Sequence, residues 1–379
     1  MRLSKLTLAS ALIAALVFGT QIAPASAATI KPGASCTKIG LTKTLKGKTY
    51  KCIKSGKNKT WDKGRAIAAT QPLTFDNLDT SRVRKAAYAE IAAGVRSSTT
   101  FVPNITFVIG PSLAQSRVEQ EMTGLNRASS FWSNLYKPQQ VFVSYFTEAD
   151  VDWVDNAVCS QAGYCPTGMN PVISNVIKQD LPNCNSAMAT RNKDGVPFFD
   201  QCLGTNSNNA KNLQTGPHEY THWVQQAYAD WGSTPNWWTE GSADYFGNTL
   251  GAYNGSTLPS QLDEMSYGSS YGWIRQELCP LSNPTIEAIT NCFMYTYGGR
   301  GVAPGQGQRW TLAHVSYYMG SLATEAMIAV KGLATFKSLL QDLKTLRFDL
   351  AFEKNYGIST LDFYPKVSKY VLAMYNQRR

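Results

Sequence analysis

Two histidines that lie four residues apart, His218 and His222, are the residues of this chain best suited to chemistry. Positions four apart lie on one face of a helix, so both imidazoles can reach a single metal ion. Pro217 precedes them and is tolerated in the first turn of a helix, which predicts a helix that begins just before the ligands or kinks at this proline. Only three histidines occur in the chain, and two of them form this pair. The sequence therefore predicts a metal site.

A third ligand is expected at Glu240, because catalytic zinc sites use three protein ligands and leave one position open. Seventeen residues separate His222 from Glu240, which is enough for the first helix to end, for the chain to turn at 232–235 and for a second helix to return the carboxylate. Asp244 lies one turn beyond Glu240 and is predicted to accept a hydrogen bond from the imidazole of His218. We expect one zinc ion per chain, bound by His218, His222 and Glu240.

Glu219 lies between the two histidines, and its carboxylate is suited to act as a general base. A zinc ion lowers the pKa of bound water, and a neighbouring glutamate can take the proton as the water attacks a carbonyl group. The alternative is a solvated helix glutamate beside two unrelated histidines. The complete set of ligand and base residues favours the catalytic interpretation.

The same residues resemble a known family of enzymes. The string His-Glu-Tyr-Thr-His at 218–222, followed by Trp-Trp-Thr-Glu-Gly-Ser-Ala-Asp-Tyr at 237–245, is similar to the gluzincin branch of the zincin metallopeptidases, which includes thermolysin and zinc aminopeptidases. The similarity is specific over 210–250 and continues weakly in the Tyr-x-x-Gly string at 317–320 and in 352–363. The resemblance implies zinc-dependent hydrolysis of peptide bonds by a zincin-like, two-lobed catalytic domain.

A zincin also requires a hydrogen-bond donor for the oxyanion that develops during the reaction. The resemblance carries this role to Tyr317, and His314, one turn earlier, is the alternative on chemical grounds; either could instead be an ordinary core side chain. The Gly-x-Met-Glu-Asn string of the aminopeptidases and the calcium sites of thermolysin have no counterpart in this sequence. The expected activity is therefore that of an endopeptidase.

Two other functions stay open on the sequence. The chain could be a cell-wall-binding protein that keeps a zincin scaffold without turnover, although a decayed site is expected to lose Glu219 or a ligand. It could also be a zinc hydrolase that acts on a non-protein bond of the wall, because the motif specifies an activated water and not the bond that this water attacks.

The first 27 residues are predicted to be a signal peptide and not part of the fold. Arg2 and Lys5 precede an apolar run over 6–18, and Ala-Ser-Ala at 25–27 is typical of a signal-peptidase site. No later stretch is predicted to span a membrane. The even number of cysteines, eight, indicates disulfides in a secreted, extracellular protein. Pairing of nearest neighbours would join residues 36–52, 159–165, 184–202 and 279–292, although the sequence leaves the connectivity open.

The positive charge of the chain is concentrated in one short segment. The formal net charge is +10 at pH 7, and residues 28–65 contain ten lysines, Arg65 and a single acidic residue, Asp62. Two cysteines, regular glycines and Trp61 predict a small β module closed by one disulfide, with a linker at 66–80. The module could adhere to an anionic cell-wall polymer of a Gram-positive bacterium or could be a solvated spacer. Nucleic acid is not an expected partner.

The remainder of the chain, 81–379, is predicted to be an α+β catalytic domain. Apolar residues recur at helical spacing from Ser81 and again over 115–136, and strands are predicted at 104–110 and 139–146.

Two lobes are expected within this domain. A lobe over 81–230 contains a small twisted sheet and the active-site helix at 211–230, and a mainly helical lobe follows over 231–379. The stretch 155–209 is rich in Asn, Gly, Pro and Cys, and it is predicted to be irregular and held by disulfides.

Overall fold

The computed structural model describes residues 30–45, 48–66, 71–165, 173–178, 184, 187–204, 213–230, 232–255, 284–295 and 309–377. The predicted signal peptide, 1–27, lies outside them. They form two compact units that divide between Gln71 and Pro72, and each unit is described by itself. None of the helices in these ranges is long and apolar enough to cross a lipid bilayer.

The first unit is a small antiparallel sheet. Its strands are β1 Thr42–Leu45, β2 Lys48–Ser55, β3 Asn58–Trp61 and β4 Arg65–Ala66. The central strand, β2, pairs with the other three. Tyr50, Cys52 and Trp61 form the core, and the Cys36–Cys52 disulfide closes the unit as the spacing of glycines and cysteines predicted.

The second unit combines a four-stranded sheet with ten described helices. Its strands are β5 Asn104–Ile109, β6 Gln140–Phe146, β7 Ala187–Arg191 and β8 Pro197–Cys202. Its helices are α1 Thr80–Ser97, α2 Gln115–Trp132, α3 Val151–Ala162, α4 Ile173–Lys178, α5 Thr215–Gln226, α6 Asn236–Gly251, α7 Ile286–Tyr295, α8 Arg309–Asp342, α9 Phe348–Tyr356 and α10 Thr360–Asn376. The predicted α+β class is confirmed.

The sheet of the second unit has the order β5-β6-β8-β7, and β7 is antiparallel to β8 while the other pairs are parallel. Alternate residues of a strand face opposite sides of a sheet. Val143 and Phe199 accordingly pack into the core that contains α2 and α5, whereas Phe198 and Cys202 pack with α3. Helices therefore cover both faces, and β7 is an edge strand.

Where the structure describes it, the stretch 155–209 is mostly regular, so the prediction of irregular structure is wrong there, whereas the predicted disulfides are present. Helix α3 extends into it, and β7 and β8 form a hairpin. Asn192 Oδ1 accepts hydrogen bonds from the N–H groups of Asp194 at 3.0 Å and Val196 at 2.9 Å, and Gly195 adopts a φ of 76°. An Asp-Gly pair is a hairpin signal. The turn-forming residues therefore mark connections between regular elements here.

Six of the cysteines pair with their neighbours along the chain. Cys292 is disulfide-bonded, and its predicted partner, Cys279, lies outside the described residues. No cysteine in the described ranges is free. The three pairs seen in full are Cys36–Cys52, Cys159–Cys165 and Cys184–Cys202.

Helix α5 lies between the sheet and the helical part of the second unit. It packs against β7 and β8 of the sheet and against α6 of the helical part. Helix α1 falls in the range predicted for the sheet-containing lobe, but it packs mainly against α8. Its apolar face, which includes Val83, Ala87 and Ile91, joins the same core as α8.

Helix α8 is interrupted at Gly332, where φ is 81° and ψ is 163°. This backbone conformation is essentially restricted to glycine. The N–H of Leu333 begins the second segment of α8 and donates to Glu90 Oε2 of α1 at 3.1 Å. Glu90 therefore caps the second segment, and the first segment ends at a defined point.

A buried ion pair connects α8 to α1 and α10. Arg84 Nε donates to Glu325 Oε1 at 3.0 Å, and the Tyr370 hydroxyl donates to Glu325 Oε2 at 2.6 Å. Both charged side chains are almost fully buried. Removal of either charge would leave the other uncompensated in the interior, which is strongly destabilising.

Helices α6 and α8 cross in direct backbone contact. A Cβ atom at Gly320 would overlap the carbonyl oxygen of Trp237, and one at Gly241 would overlap the backbone of Gly320. A larger residue at either position would force the helices apart. Gly241 follows Glu240, and Gly320 ends the Tyr-x-x-Gly string that begins at Tyr317, so the crossing sets the distance between those two functional candidates.

Replacement of Gly320 by alanine is expected to lower the free energy of unfolding of the second unit by about 2 kcal/mol, because the methyl group pushes two helix backbones apart. Gly216→Ala in α5 is the matched control, since its Cβ would approach Leu125 Cβ no closer than 3.4 Å and alanine favours helix. Urea titrations followed by circular dichroism measure the free energy of unfolding of both variants. A Gly320→Ala protein as stable as the parent would contradict the close crossing.

Candidate metal centre

His218 and His222 lie one turn apart on α5, and both side chains are buried. Pro217 lies in the first turn of this helix, where its missing N–H removes no helical hydrogen bond. The helix therefore begins just before the ligands, which is one of the two predicted possibilities. The Nε2 atoms of the two imidazoles are 3.0 Å apart, and the ring planes are inclined by 80°.

Helix α6 brings Glu240 to these imidazoles. Its Oε2 atom lies 3.3 Å from His222 Nε2 and 3.6 Å from His218 Nε2. One ligand atom from each of the three residues lies within 4.8 Å of the other two. The structure thus brings together the three side chains that the sequence predicted as ligands.

The arrangement fits a tetrahedral metal ion. Zinc binds imidazole nitrogen and carboxylate oxygen at about 2.0–2.2 Å, and tetrahedral angles then place neighbouring ligand atoms roughly 3.3–3.5 Å apart. The observed separations of 3.0, 3.3 and 3.6 Å bracket this range. Glu240 Oε2 is buried and accepts no hydrogen bond of good geometry, which a metal ion would explain. His218, His222 and Glu240 could therefore hold a metal ion.

His222 and Glu240 shift each other's pKa values in opposite directions. Burial alone lowers the pKa of His222, but the Glu240 carboxylate overrides this effect and raises the pKa to about 9. Burial alone raises the pKa of Glu240, but the imidazoles of His222 and His218 outweigh it and hold this pKa well below its usual range. Without a metal ion, a proton on His222 therefore balances the charge of Glu240 at neutral pH.

Glu219 lies on α5 between the two histidines and is buried. Its carboxylate accepts a hydrogen bond from the backbone N–H of Ala189 in β7. Burial raises the pKa of Glu219 and the charge of Glu240 adds to this, whereas the two imidazoles and the Ala189 N–H oppose it. The net effect is a raised pKa, which makes the carboxylate a stronger base.

Tyr317 lies beside the ligands, on the first segment of α8. Its ring stacks on that of His218 with centroids 5.8 Å apart and planes inclined by 14°, and its hydroxyl hydrogen-bonds to the Glu240 carboxylate. Burial, followed by the charge of Glu240, raises the pKa of Tyr317 well above its usual range, so the hydroxyl stays protonated and can donate. The side chain of His314, the other predicted oxyanion donor, lies outside the described residues.

Asp244 does not take its predicted partner. Its Oδ1 atom accepts a hydrogen bond from Gln214 Nε2 at 2.9 Å, and a bond from His218 is not among those that the described residues form. The reason is the crossing of α6 over α5, which places Gly247 against Gln214 and against Cβ of His218. The Asp244 carboxyl therefore contacts Gln214, which lies one helical turn before His218 in the chain.

Gln225 is a buried residue of the site that the sequence analysis missed. Its Oε1 atom lies 2.8 Å from His222 Nδ1. A polar side chain three residues after a ligand histidine lies on the same face of a helix, and this spacing is the signal that could have identified it. The structure therefore gives one ligand imidazole a hydrogen-bond partner on its own helix.

Glu240→Ala is expected to weaken zinc binding by more than about 100-fold, because loss of a direct ligand should exceed the roughly 10–100-fold cost of losing an outer partner. Glu287→Ala is the control, since Glu287 is exposed on α7. Dialysis against buffered zinc, followed by metal analysis, gives the bound metal per chain. A Glu240→Ala protein with parental affinity would exclude the three-ligand site.

Comparison with known proteins adds no assignment to this geometry. No protein-family model, no curated protein and no solved structure matches the chain. What the protein does is therefore inferred from its own residues, above all from the meeting of His218, His222 and Glu240 beside Glu219.

Proposed function

We propose that this chain is a secreted zinc-dependent metallohydrolase that acts as an endopeptidase. The observation that carries the proposal is the convergence of His218, His222 and Glu240 on one position, with Glu219 between the two histidines on the same helix. Catalytic zinc sites typically have three protein ligands, and these three side chains would supply them. The resemblance of 210–250 to the gluzincins supports the same reaction.

A bound zinc ion would supply Lewis acidity toward the substrate carbonyl and would lower the pKa of water. Glu219 takes a proton from the attacking water as the water oxygen bonds to the carbonyl carbon. It then delivers this proton to the amine nitrogen as the C–N bond breaks. The raised pKa of Glu219 suits both steps, because the carboxylate is a stronger base and its protonated form persists until the amine leaves.

Tyr317 is the proposed donor to the oxyanion, and His314 is the alternative. The Tyr317 hydroxyl is protonated, and its ring is held against His218. When Glu240 binds a cation, its carboxylate becomes a weaker acceptor, and the hydroxyl can turn toward the negative charge on the substrate. Such a donor, preorganised in a buried site, stabilises the transition state more than the ground state.

The outer edge of β7 could pair with an extended peptide. No described strand pairs with this edge. Asn192 N–H donates to Val196 O at 2.9 Å across the hairpin, so residues 187, 189 and 191 direct their main-chain groups away from β8. The N–H of Ala189 accordingly reaches Glu219. A peptide added along β7 would pass beside the catalytic base, which favours a peptide or protein substrate.

Two alternatives keep the same metal site. One is a catalytically silent zincin scaffold that binds the cell wall, and the presence of Glu219 beside a complete ligand set disfavours it. The other is a zinc hydrolase acting on a non-protein bond of the wall. The edge of β7 favours peptide hydrolysis over this second alternative, because its main-chain groups complement an extended polypeptide.

Glu219→Gln is expected to keep one zinc ion per chain and to lose casein hydrolysis by roughly 10²–10⁴-fold, because an amide cannot accept the proton. Tyr317→Phe is expected to lower kcat by about 10²–10³-fold with little change in KM, and the neighbouring Tyr318→Phe is its control. Initial rates on casein, with zinc content measured on each sample, give these values.

The same assay separates the alternatives. A parent protein that holds zinc, leaves casein intact and releases products from purified wall fragments would overturn the endopeptidase proposal in favour of the non-protein bond. Zinc binding with no turnover of either substrate would favour the catalytically silent scaffold. Full casein hydrolysis by Glu219→Gln would remove Glu219 from the mechanism.

Secretion is proposed on two grounds. Disulfides join Cys36 to Cys52, Cys159 to Cys165 and Cys184 to Cys202, and such bonds persist in oxidising compartments outside the cytoplasm. The segment 1–27 has the composition of a signal peptide. Together they support a location outside the cell for the proposed reaction.

The first unit is proposed to bind an anionic cell-wall polymer, and the specific observation is how its charges are distributed. Its acidic residue, Asp62, makes hydrogen bonds to the backbone. Asp62 Oδ1 accepts hydrogen bonds from the N–H groups of Lys51 and Gly64 at 3.0 Å each. Lys54 lies directly opposite Lys59 across the β2–β3 pair, and facing like charges are unfavourable in a sheet. A chain of phosphate groups would relieve this repulsion.

Reversal of Lys54 and Lys59 to glutamate is expected to weaken binding to poly(glycerol phosphate) by at least roughly tenfold, at about 1 kcal/mol for each lysine near an anionic surface. Lys331→Glu with Lys369→Glu, both exposed in the second unit, gives the same change in net charge and should have little effect. Co-sedimentation at increasing salt concentration measures the affinity. Equal losses in the two variants would show that only net charge matters and would contradict a role for this pair.

A further inference from the structure

Gln225 makes three hydrogen bonds from a position that is only 4% exposed. Its Nε2 atom donates to the carbonyl oxygen of Thr239 at 2.8 Å and to Ser242 Oγ at 2.8 Å. Its Oε1 atom lies 2.8 Å from His222 Nδ1. The side-chain amide of Gln225 therefore lies between its own helix, α5, and the neighbouring helix α6. Both its oxygen and its nitrogen have a hydrogen-bond partner.

One of these partners fixes which way the amide points. A backbone carbonyl can only accept a hydrogen bond, so the NH₂ end of Gln225 must face Thr239. The Oε1 end then faces His222, and an amide oxygen can only accept. Nδ1 of His222 must therefore carry a proton, and in the neutral imidazole the lone pair is on Nε2. Nε2 is the atom that lies near His218 and Glu240.

The same side chain also locates the third ligand. Thr239 precedes Glu240 in the chain, and Ser242 follows it two residues later. Gln225 thus bonds to α6 on both sides of Glu240 while it bonds to His222 on α5. One buried amide therefore links two of the three ligands.

We propose that Gln225 is a positioning residue for the metal centre, which holds His222 in the tautomer that presents Nε2 and holds the Glu240 segment in register with it. The proposal rests on the proposed zinc site, but it does not depend on the bond that the enzyme cleaves. Outer partners of ligand imidazoles fix ring orientation and raise ligand basicity, and their loss typically weakens metal binding by about 10–100-fold.

Gln225→Met keeps the length of the side chain and removes all three hydrogen bonds. We expect zinc affinity, measured by competition with a chromophoric chelator, to fall by about 10–100-fold. Gln226→Met is the matched control, because Gln226 is the next residue of α5, is partly exposed and makes none of these contacts. Thermal unfolding of the metal-free proteins checks that both variants fold.

A double-mutant cycle separates positioning from general damage to the fold. If Gln225 acts through His222, Gln225→Met should weaken zinc binding much less in a His222→Ala background than in the parent. An equal loss in both backgrounds would overturn the proposed action on His222, and parental affinity in Gln225→Met would overturn the whole proposal. A parent protein that binds no zinc would instead sink the proposed function, so the two failures are distinguishable.

The tautomer is measured independently, which matters if Gln225→Met does not fold. In the zinc-loaded parent labelled with ¹⁵N-histidine, the His222 ring should show a protonated Nδ1 and a metal-bound Nε2. Coordination through Nδ1 would overturn the proposal without any variant. The expected spectrum from Gln226→Met is that of the parent.

Discussion

Three electron-rich atoms point at one another in the interior of this protein, and that arrangement requires a positive charge. Two imidazole nitrogens and one carboxylate oxygen lie 3.0–3.6 Å apart, on two buried histidines and a half-buried glutamate. A proton on His222 satisfies the arrangement in one state, and a divalent cation would satisfy it better because it serves all three atoms. The surrounding helices hold these three atoms close together.

The rest of the second unit can be understood as the means of holding that position. Helix α5 is fixed to the sheet where Trp223 Nε1 donates to the carbonyl oxygen of Thr190 in β7 at 3.2 Å. Helix α6 is fixed to α5 by Gln225 and to α8 by the glycine crossing. Helix α8 is in turn fixed to α1 and α10 through Glu325. The hydrogen bonds of Gln225 and Glu325 are buried and directional, so the ligands belong to a framework with few alternative arrangements.

The ligand set was predictable from the sequence because it depends on local spacing. His218 and His222 share a helix face by periodicity alone, and Glu240 is close enough in the chain for one turn to return it. The partners of those ligands were less predictable. Whether Asp244 meets His218 or Gln214 depends on the angle at which α6 crosses α5, and no local pattern encodes that angle. The β7–β8 hairpin was missed for a different reason, since turn-forming residues surround it and β8, which is buried along its whole length, lacks the alternation of apolar and polar residues that marks a half-buried strand.

The glycine crossing of α6 and α8 has a mechanical consequence. At most helix contacts the interaxial distance depends on the side chains that lie between the helices, and it can change when those side chains change rotamer. At Gly241 and Gly320 no side chain lies between the backbones, so van der Waals contact between peptide groups limits the approach. Peptide groups have no rotamers to exchange. The separation of the Glu240 and Tyr317 backbones is therefore insulated from thermal rearrangement of the core, and stiffness at the site is achieved by omitting side chains.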